Sequence, residues 1–351
     1  MRRRFHALLI LLGAGLLSGC MGLRYIPQAA TGQLRLMTGG AKLKKAMADP
    51  DTPREVARLL GEVEPVLTFA TERGLRPSKS YRRYVALDRE YVVWFVTGSD
   101  PLAFDPKVYW FPIAGSFAGV GWFKEQRALR HVSRLERQGL DAASRGASAY
   151  STGGWFRDPV VSSMLGSGPA AAGDFANVLL HETLHATVLV NGQTYFNESL
   201  ASFVADTLTP EYLALRFGAH SVEVSAYREL MQVQLDREAR VLAAYNELEL
   251  LYASALDPWA KLAKKQLVLA KLQSDLELEH RPNNASLLGA KLYGTGKSEF
   301  AQLLVACHHD WPRFVAAVSS LRSRHFGVAQ LEDFGPVVRN LIAWQCEPLA
   351  D

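Results

Sequence analysis

Residues 181–185 read His-Glu-Thr-Leu-His, and Glu198 follows thirteen positions after His185. No other feature of the chain constrains its fold as tightly. On an α-helix, residues four apart leave the same face one turn apart. His181 and His185 can then grip one metal ion, with Glu182 beside it to take a proton from a metal-bound water. A tetrahedral zinc ion that keeps an open water position needs a third protein ligand. A carboxylate on the next helix is the usual source, and Glu198 is the first acid after the motif. The pattern therefore calls for a helix, a short turn, and a second helix folded back on the first.

The surrounding sequence supports that arrangement. Leu179, Leu180, Leu184, Val188 and Leu189 supply an apolar helical face. Gly173-Asp174 can open this helix and Asn191-Gly192 can close it, which predicts a helix over 174–190. Asn197–Leu208 has helical spacing again, with Pro210 as its stop. Upstream, the pattern predicts a helix over 28–47. A second helix opens at the capping box Thr52-Pro53-Arg54-Glu55 and runs to Gly74. Val, Tyr, Trp and Phe then dominate, predicting strands at Tyr91–Val96 and Lys107–Ile113. Lys124–Gln138 reads as a helix stopped by Gly139. Beyond Pro210, Val222–Ala255 and Pro258–His280 read as a long antiparallel helical hairpin broken at Asp257-Pro258. A helix from Asn283 to Tyr293 and helices near 298–307, 312–323 and 327–345 complete the chain. The expected class is mainly α, of the α+β type, with a small mixed sheet.

Arg2-Arg3-Arg4 followed by the apolar run Phe5–Leu17 has the form of a secretory signal, and the run is too short for a bilayer span. It ends in Leu17-Ser18-Gly19-Cys20, which resembles the bacterial lipobox. In such signals the cysteine is lipidated and becomes the first residue of the mature chain. On that reading residues 1–19 are removed, residues 20–351 form one metallopeptidase domain, and a lipid on Cys20 ties it to a membrane. Met21 rather than Asp implies the outer membrane, facing the periplasm. Removing 1–19 takes three arginines from the 39 basic residues, leaving 36 against 35 acids. That near-neutral balance excludes an electrostatic case for nucleic acid. Cys307 and Cys346 remain, either as a disulfide in an oxidising compartment or as two small buried hydrophobes. No C-x-x-C pair offers a thiolate metal site. The adjacent His308 and His309 would point to different sides of a helix, which suits a structural or surface role.

The segment Tyr150-Ser151-Thr152-Gly153-Gly154 reads as an edge strand or an extended loop about 30 residues before His181. Several motifs together give a resemblance. They are the lipobox, Gln33-Leu34, Ala114-Gly115, Gly121-Trp122-Phe123, Ala149–Thr152 with Gly154-Trp155-Phe156, the H-E-T-L-H motif, Asn197-Glu198, and Asn283-Asn284-Ala285 before Tyr293. Over nearly all its length the chain resembles the bacterial lipoprotein aminopeptidases, gluzincin-like H-E-x-x-H zinc peptidases. The resemblance implies a gluzincin-like fold, a Zn²⁺ cofactor and a peptide substrate whose backbone adds to Tyr150–Gly154 by β-pairing. It places Asn197 and Asp206 behind the metal ligands, although Asp206 lies eight residues past Glu198 rather than four. It makes Tyr293 the first candidate to stabilise the tetrahedral oxyanion, with Tyr150 and Tyr195 behind it.

The expected function is that of a zinc-dependent envelope metallopeptidase, in which His181, His185 and Glu198 hold the ion and Glu182 is the general base. The family name favours an aminopeptidase, yet no acid in Tyr150–Gly154 can anchor a free α-ammonium. An envelope endopeptidase or oligopeptidase stays open. So does a non-catalytic, zinc-stabilised lipoprotein scaffold that uses the helical hairpin to dock a partner.

Overall fold

A computed structural model describes residues 19–111, 115–149, 157–290, 296–343 and 346. The chain begins with helix α1 (Gly19–Thr38), strand β1 (Ala41–Lys42) and helices α2 (Leu43–Ala48), α3 (Arg54–Leu60) and α4 (Val63–Glu72). Strands β2 (Arg83–Val85), β3 (Val93–Ser99), β4 (Tyr109–Phe111), β5 (Gly115–Phe117) and β6 (Gly119–Trp122) follow. Helix α5 (Glu125–Glu136) and strands β7 (Asp141–Ala147) and β8 (Val160–Val161) lead to the two central helices, α6 (Ala171–Thr187) and α7 (Thr194–Phe217). The long α8 (Val222–Ala253) and α9 (Pro258–Asp275) come next, then α10 (Asn284–Leu287), α11 (Lys297–Ala306), α12 (Trp311–Ser319) and α13 (Gly335–Ala343). The fold is thus mainly helical with a small β component, as expected. Among the described residues no helix is long and apolar enough to cross a membrane.

The strands form a mixed sheet, in which β2 pairs antiparallel with β1 and parallel with β8, and an antiparallel sheet ordered β6-β3-β7. β4 and β5 make a separate antiparallel hairpin. The largest core surrounds α6 and α7. Phe175, Leu179, Leu180, Phe196, Phe300, Phe314 and Phe334 are all fully buried there. Gly173 is required where α8 crosses α6, because a Cβ would lie 2.4 Å from the Tyr227 ring.

Several expected elements are divided or extended. The helix expected over 28–47 breaks at Gly39-Gly40, where Gly40 takes φ +71° and the chain turns into β1. The helix expected from 54 to 74 divides at Gly61. Pro210 does not stop α7, which runs on to Phe217. Proline removes one backbone bond, but Leu208, Tyr212 and Leu213 on either side of it are buried in the main core, and that packing carries the helix through. His308 and His309 lie beyond the end of α11 with φ near +60°, so they cap a helix rather than sit inside one. Cys307 and Cys346 form a disulfide with their Cα atoms 5.0 Å apart, joining the end of α11 to the chain beyond α13.

The α8–α9 hairpin docks on the β6-β3-β7 sheet through buried polar contacts. The Lys265 side chain bonds Asp141 and, at 2.8 Å, the Pro101 carbonyl. The Asn284 backbone N–H donates to the same Asp141 carboxylate at 2.8 Å. Asn284 Nδ2 donates to the Asp100 and Ala103 carbonyls, while its Oδ1 accepts from the Tyr252 hydroxyl at 2.7 Å. Asn283 Nδ2 donates to Ala142 O at 2.8 Å. On the other side of the sheet's cluster, α5 inserts His131. Trp122 Nε1 donates to His131 Nδ1 at 3.0 Å, so the proton sits on Nε2, facing the Tyr109 hydroxyl at 3.0 Å.

Two outcomes follow. Lys265 is 2% exposed, so Lys265→Met leaves Asp141 without its countercharge and should cost about 3 kcal/mol in denaturant unfolding. Burial holds His131 down to about 4, so between pH 6.5 and 4 only the unfolded chain takes up its proton. Stability should fall by up to ~3 kcal/mol as pH drops through that window, and His131→Gln should remove that slope. Unfolding curves at pH 4.5 and 7 check this, and an equal slope in both proteins refutes it.

Candidate metal centre

Helices α6 and α7 run antiparallel, and the turn between them sets which residues face each other. Thr187 ends α6: its hydroxyl donates to Thr183 O at 2.7 Å and accepts from Arg76 N at 2.8 Å. The chain then turns through Gly192, where φ is +74°. Asn197 closes this turn. Its Oδ1 accepts from Val190 N at 2.9 Å and its Nδ2 donates to Val190 O at 2.8 Å, so one buried side chain satisfies both backbone groups. The loop over 323–331 braces the turn from outside. Gln193 donates to Val328 O and accepts from Leu331 N, and Gln330 accepts from Thr194 N.

This turn brings three donors together. His181 Nε2 and His185 Nε2 are 3.1 Å apart, their rings nearly perpendicular. Glu198 Oε2 lies 3.4 Å from His181 Nε2, and Oε1 lies 3.6 Å from His185 Nε2. Ligands on a tetrahedral ion with bonds of about 2.0–2.1 Å are spaced about 3.4 Å apart. The three observed separations bracket that edge, and two neutral imidazoles with one carboxylate suit a divalent cation. Among the described residues this is the one group of three such side chains able to hold a metal.

The three groups are electrostatically coupled. Burial pushes the Glu198 carboxyl up, but the facing His181 and His185 outweigh it and hold the group well below the usual carboxylate range. Burial lowers His185, while Glu198 and Glu182 more than offset this and leave it raised. Glu182 follows His181 on the same helix. Its Oε2 is buried with no hydrogen-bond partner among the described residues. His185 Nδ1 is likewise buried and unpaired among them.

The other expected site residues divide. Asp206 lies away from the histidines, two turns along α7. It accepts from Asn177 Nδ2 at 3.2 Å and from Lys297 Nζ at 3.3 Å. Asn177 stands one turn before His181, so Asp206 acts on the helix that carries the ligand and not on the imidazole. Asn197 acts on the turn rather than on the Glu198 carboxylate. Tyr195 is half-buried against the main core. Tyr150, Ser151, Thr152, Gly153, Gly154 and Tyr293 lie outside the described residues. Sequence reasoning missed Asn177, Gln193 and Gln330, since an isolated amide, whether inside a helix as Asn177 is or at a turn, carries no pattern that marks it.

Asn197→Ala strands the Val190 N–H and C=O in a buried turn and should cost about 1–3 kcal/mol. Asn197→Asp, which keeps the acceptor but sets a buried carboxylate oxygen against Val190 O, should lose at least as much. Denaturant unfolding of both variants checks the order.

No curated protein and no solved structure matches this chain. A family profile described as "Putative aminopeptidase" matches residues 24–326. That span holds α2–α12 entire and every residue of the metal centre. The chain therefore belongs to this aminopeptidase family.

Proposed function

We propose that the protein is a zinc-dependent metallopeptidase of the bacterial cell envelope, acting as an aminopeptidase on peptides and held by a lipid on Cys20, with the outer membrane's periplasmic side as its place. One observation carries the reading. His181 Nε2 and His185 Nε2 stand 3.1 Å apart, each with one Glu198 carboxylate oxygen at 3.4–3.6 Å, and on the same helix Glu182 keeps a buried carboxylate oxygen unpaired among the described residues.

His181, His185 and Glu198 are the residues that would hold the ion. When bound there, zinc lowers the pKa of a water towards ~7 and polarises a carbonyl. The protein's own part rests on Glu182. Its free oxygen accepts the proton of the attacking water and returns it to the leaving amine. Burial strengthens this, because a carboxylate with no competing donor keeps its lone pairs for the reacting water. Glu198 offers one oxygen to each imidazole and fixes both ring edges toward a common point. A structural zinc site needs its ligands but has no use for a buried, unpaired carboxylate, so Glu182 favours catalysis over a scaffold. The aminopeptidase reading rests on the family description.

Two measurements test this. Metal analysis of the purified protein should find one zinc per chain, lost in His181→Ala, His185→Ala and Glu198→Ala. Full occupancy in Glu198→Ala would put the third ligand elsewhere. Glu182→Gln should keep zinc and fold while losing at least ~10²–10⁴-fold in peptide hydrolysis. Peptides with free and acetylated N-termini separate exopeptidase from endopeptidase action. A Glu182→Gln protein that holds zinc and cleaves at the wild-type rate would return the scaffold reading.

A further inference from the structure

The N-terminal helix is fastened to the antiparallel sheet. Gln28 Nε2 donates to Gly121 O at 3.2 Å, and Gln28 Oε1 accepts from Phe123 N at 3.1 Å. Tyr25 packs 5.3 Å from the Phe111 ring and 5.5 Å from the Trp122 ring. Cys20 is five residues before Tyr25 on the same helix, about 7–8 Å along its axis. The end of the chain that would carry the lipid is therefore set beside the β4–β5 hairpin.

Among the described residues the surface around that point exposes several apolar side chains. Along α1, Ile26, Ala30 and Leu34 are exposed at four-residue steps, which makes one stripe. On the hairpin, Tyr109 turns inward to His131 while its neighbours Val108 and Trp110 face out, Trp110 being 66% exposed. Phe117 on β5 pairs with Tyr109 and is exposed on the other side of the hairpin from Trp110. Monomeric proteins rarely leave such side chains grouped without a partner. Tryptophan in particular is favoured where an apolar body meets a wet headgroup layer.

Helix α5 adds charge. It meets the hairpin through the His131–Tyr109 contact. Residues 124–137 hold five basic side chains, Lys124, Arg127, Arg130, Arg134 and Arg137, against two acids. Lys124, Arg127, Arg130 and Arg137 are exposed. The mature chain is otherwise near neutral, so this excess is local. Basic side chains beside exposed aromatics match an anionic lipid surface.

We infer that the β4–β5 hairpin enters the headgroup layer of an anionic phospholipid bilayer edge-on, Trp110 on one side of it and Phe117 with α1 and α5 on the other, next to the acyl chains on Cys20. The inference rests on the lipid-anchor reading above and adds to it a second contact. A lipid alone leaves the domain free to tumble on its tether; the second contact fixes how the domain sits on the membrane. Trp110 enters the interface, and the basic residues of α5 meet phosphate groups.

The test uses the purified acylated protein in vesicles of phosphatidylethanolamine and phosphatidylglycerol with brominated acyl chains, which quench tryptophan only on contact. Wild type should be quenched. Trp110→Phe should lose most of that quenching with its fold intact, because the side chain is exposed. Trp259→Phe, at the tip of the α8–α9 hairpin and 81% exposed, should be quenched like wild type. Vesicles without anionic lipid, or the Arg127→Gln, Arg130→Gln protein, should show reduced Trp110-dependent quenching. Equal quenching of Trp110→Phe and wild type overturns the inference, and loss in Trp259→Phe instead assigns the contact to the helical hairpin. Quenching that ignores both lipid charge and the arginines overturns the role of α5. Mass spectrometry of the same sample reports acylation separately. An acylated protein without Trp110 quenching keeps the anchor and sinks the hairpin contact, while an unacylated protein that is still quenched does the reverse.

Discussion

The candidate metal centre depends on one register, that of α6 against α7. A helix advances 1.5 Å and 100° per residue, so a shift of one residue would swing Glu198 off the face that holds His181 and His185. Two contacts fix the register at opposite ends. Asn197 binds both polar groups of Val190 and sets the turn. Asn177 binds Asp206 one turn below the ligands and sets the crossing. Between them the apolar faces of both helices are fully buried, around Leu180, Leu184, Leu200 and Ala201. Apolar packing supplies the adhesion but tolerates small slips. The two asparagines make the slipped states expensive, because each would strand buried polar groups.

The second organising joint lies at Asp141. Its carboxylate receives Lys265 from α9 and the Asn284 backbone from α10. Asn284 in turn reaches Asp100, Ala103 and Tyr252. Strand, loop and both long helices thus meet at one polar cluster, flanked by the Phe104–Tyr245 stack at 3.8 Å. The Asn283-Asn284-Ala285 segment helped carry the resemblance to a known family, and its place in the fold explains its chemistry. It is a fastening between the hairpin and the sheet, with no contact to the metal ligands among its described bonds.

How much of this was legible in the sequence follows from how local each signal is. The H-E-T-L-H helix, the carboxylate helix and the α8–α9 hairpin were readable because their side chains repeat at helical spacing over many turns. The break read at Asp257-Pro258 falls between α8 and α9, where Asp257 caps α9, whereas the capping box expected at Thr52 does not form: α3 opens after Pro53 with no side-chain cap. Strand β7 was not readable. Its sequence, Asp-Ala-Ala-Ser-Arg-Gly-Ala, has no β-branched or aromatic residue, and it is a strand because β3 offers it a full ladder of partners. Pro210 misled for the same reason in reverse: a local breaker was overridden by non-local burial. At the site, the ligands were visible as a motif, whereas Gln193 and Gln330 matter through contacts more than 130 residues apart in sequence.

Asn197, Asn284, Lys265, His131 and Glu62 are all buried and all partnered; Glu62 takes both Tyr212 and Arg216. Among the described residues a handful of buried side-chain atoms lack a partner, Gln33, Ser144, Thr183 and Ser319 contributing neutral ones; Glu182 Oε2 is the one carboxylate oxygen among them, and it lies on the same helix as the unpaired His185 Nδ1. Leaving such a group unmade costs about 1–3 kcal/mol, more when it carries charge. Had the centre only to hold the helices together, a neutral or apolar residue after His181 would stabilise it better. On the proposed hydrolase reading the unpaired oxygen is a cost to folding that the reaction recovers, since a base already hydrogen-bonded to the protein would have to break that bond before taking a proton from water. Local departures from good folding chemistry of this kind mark where a sequence answers to function.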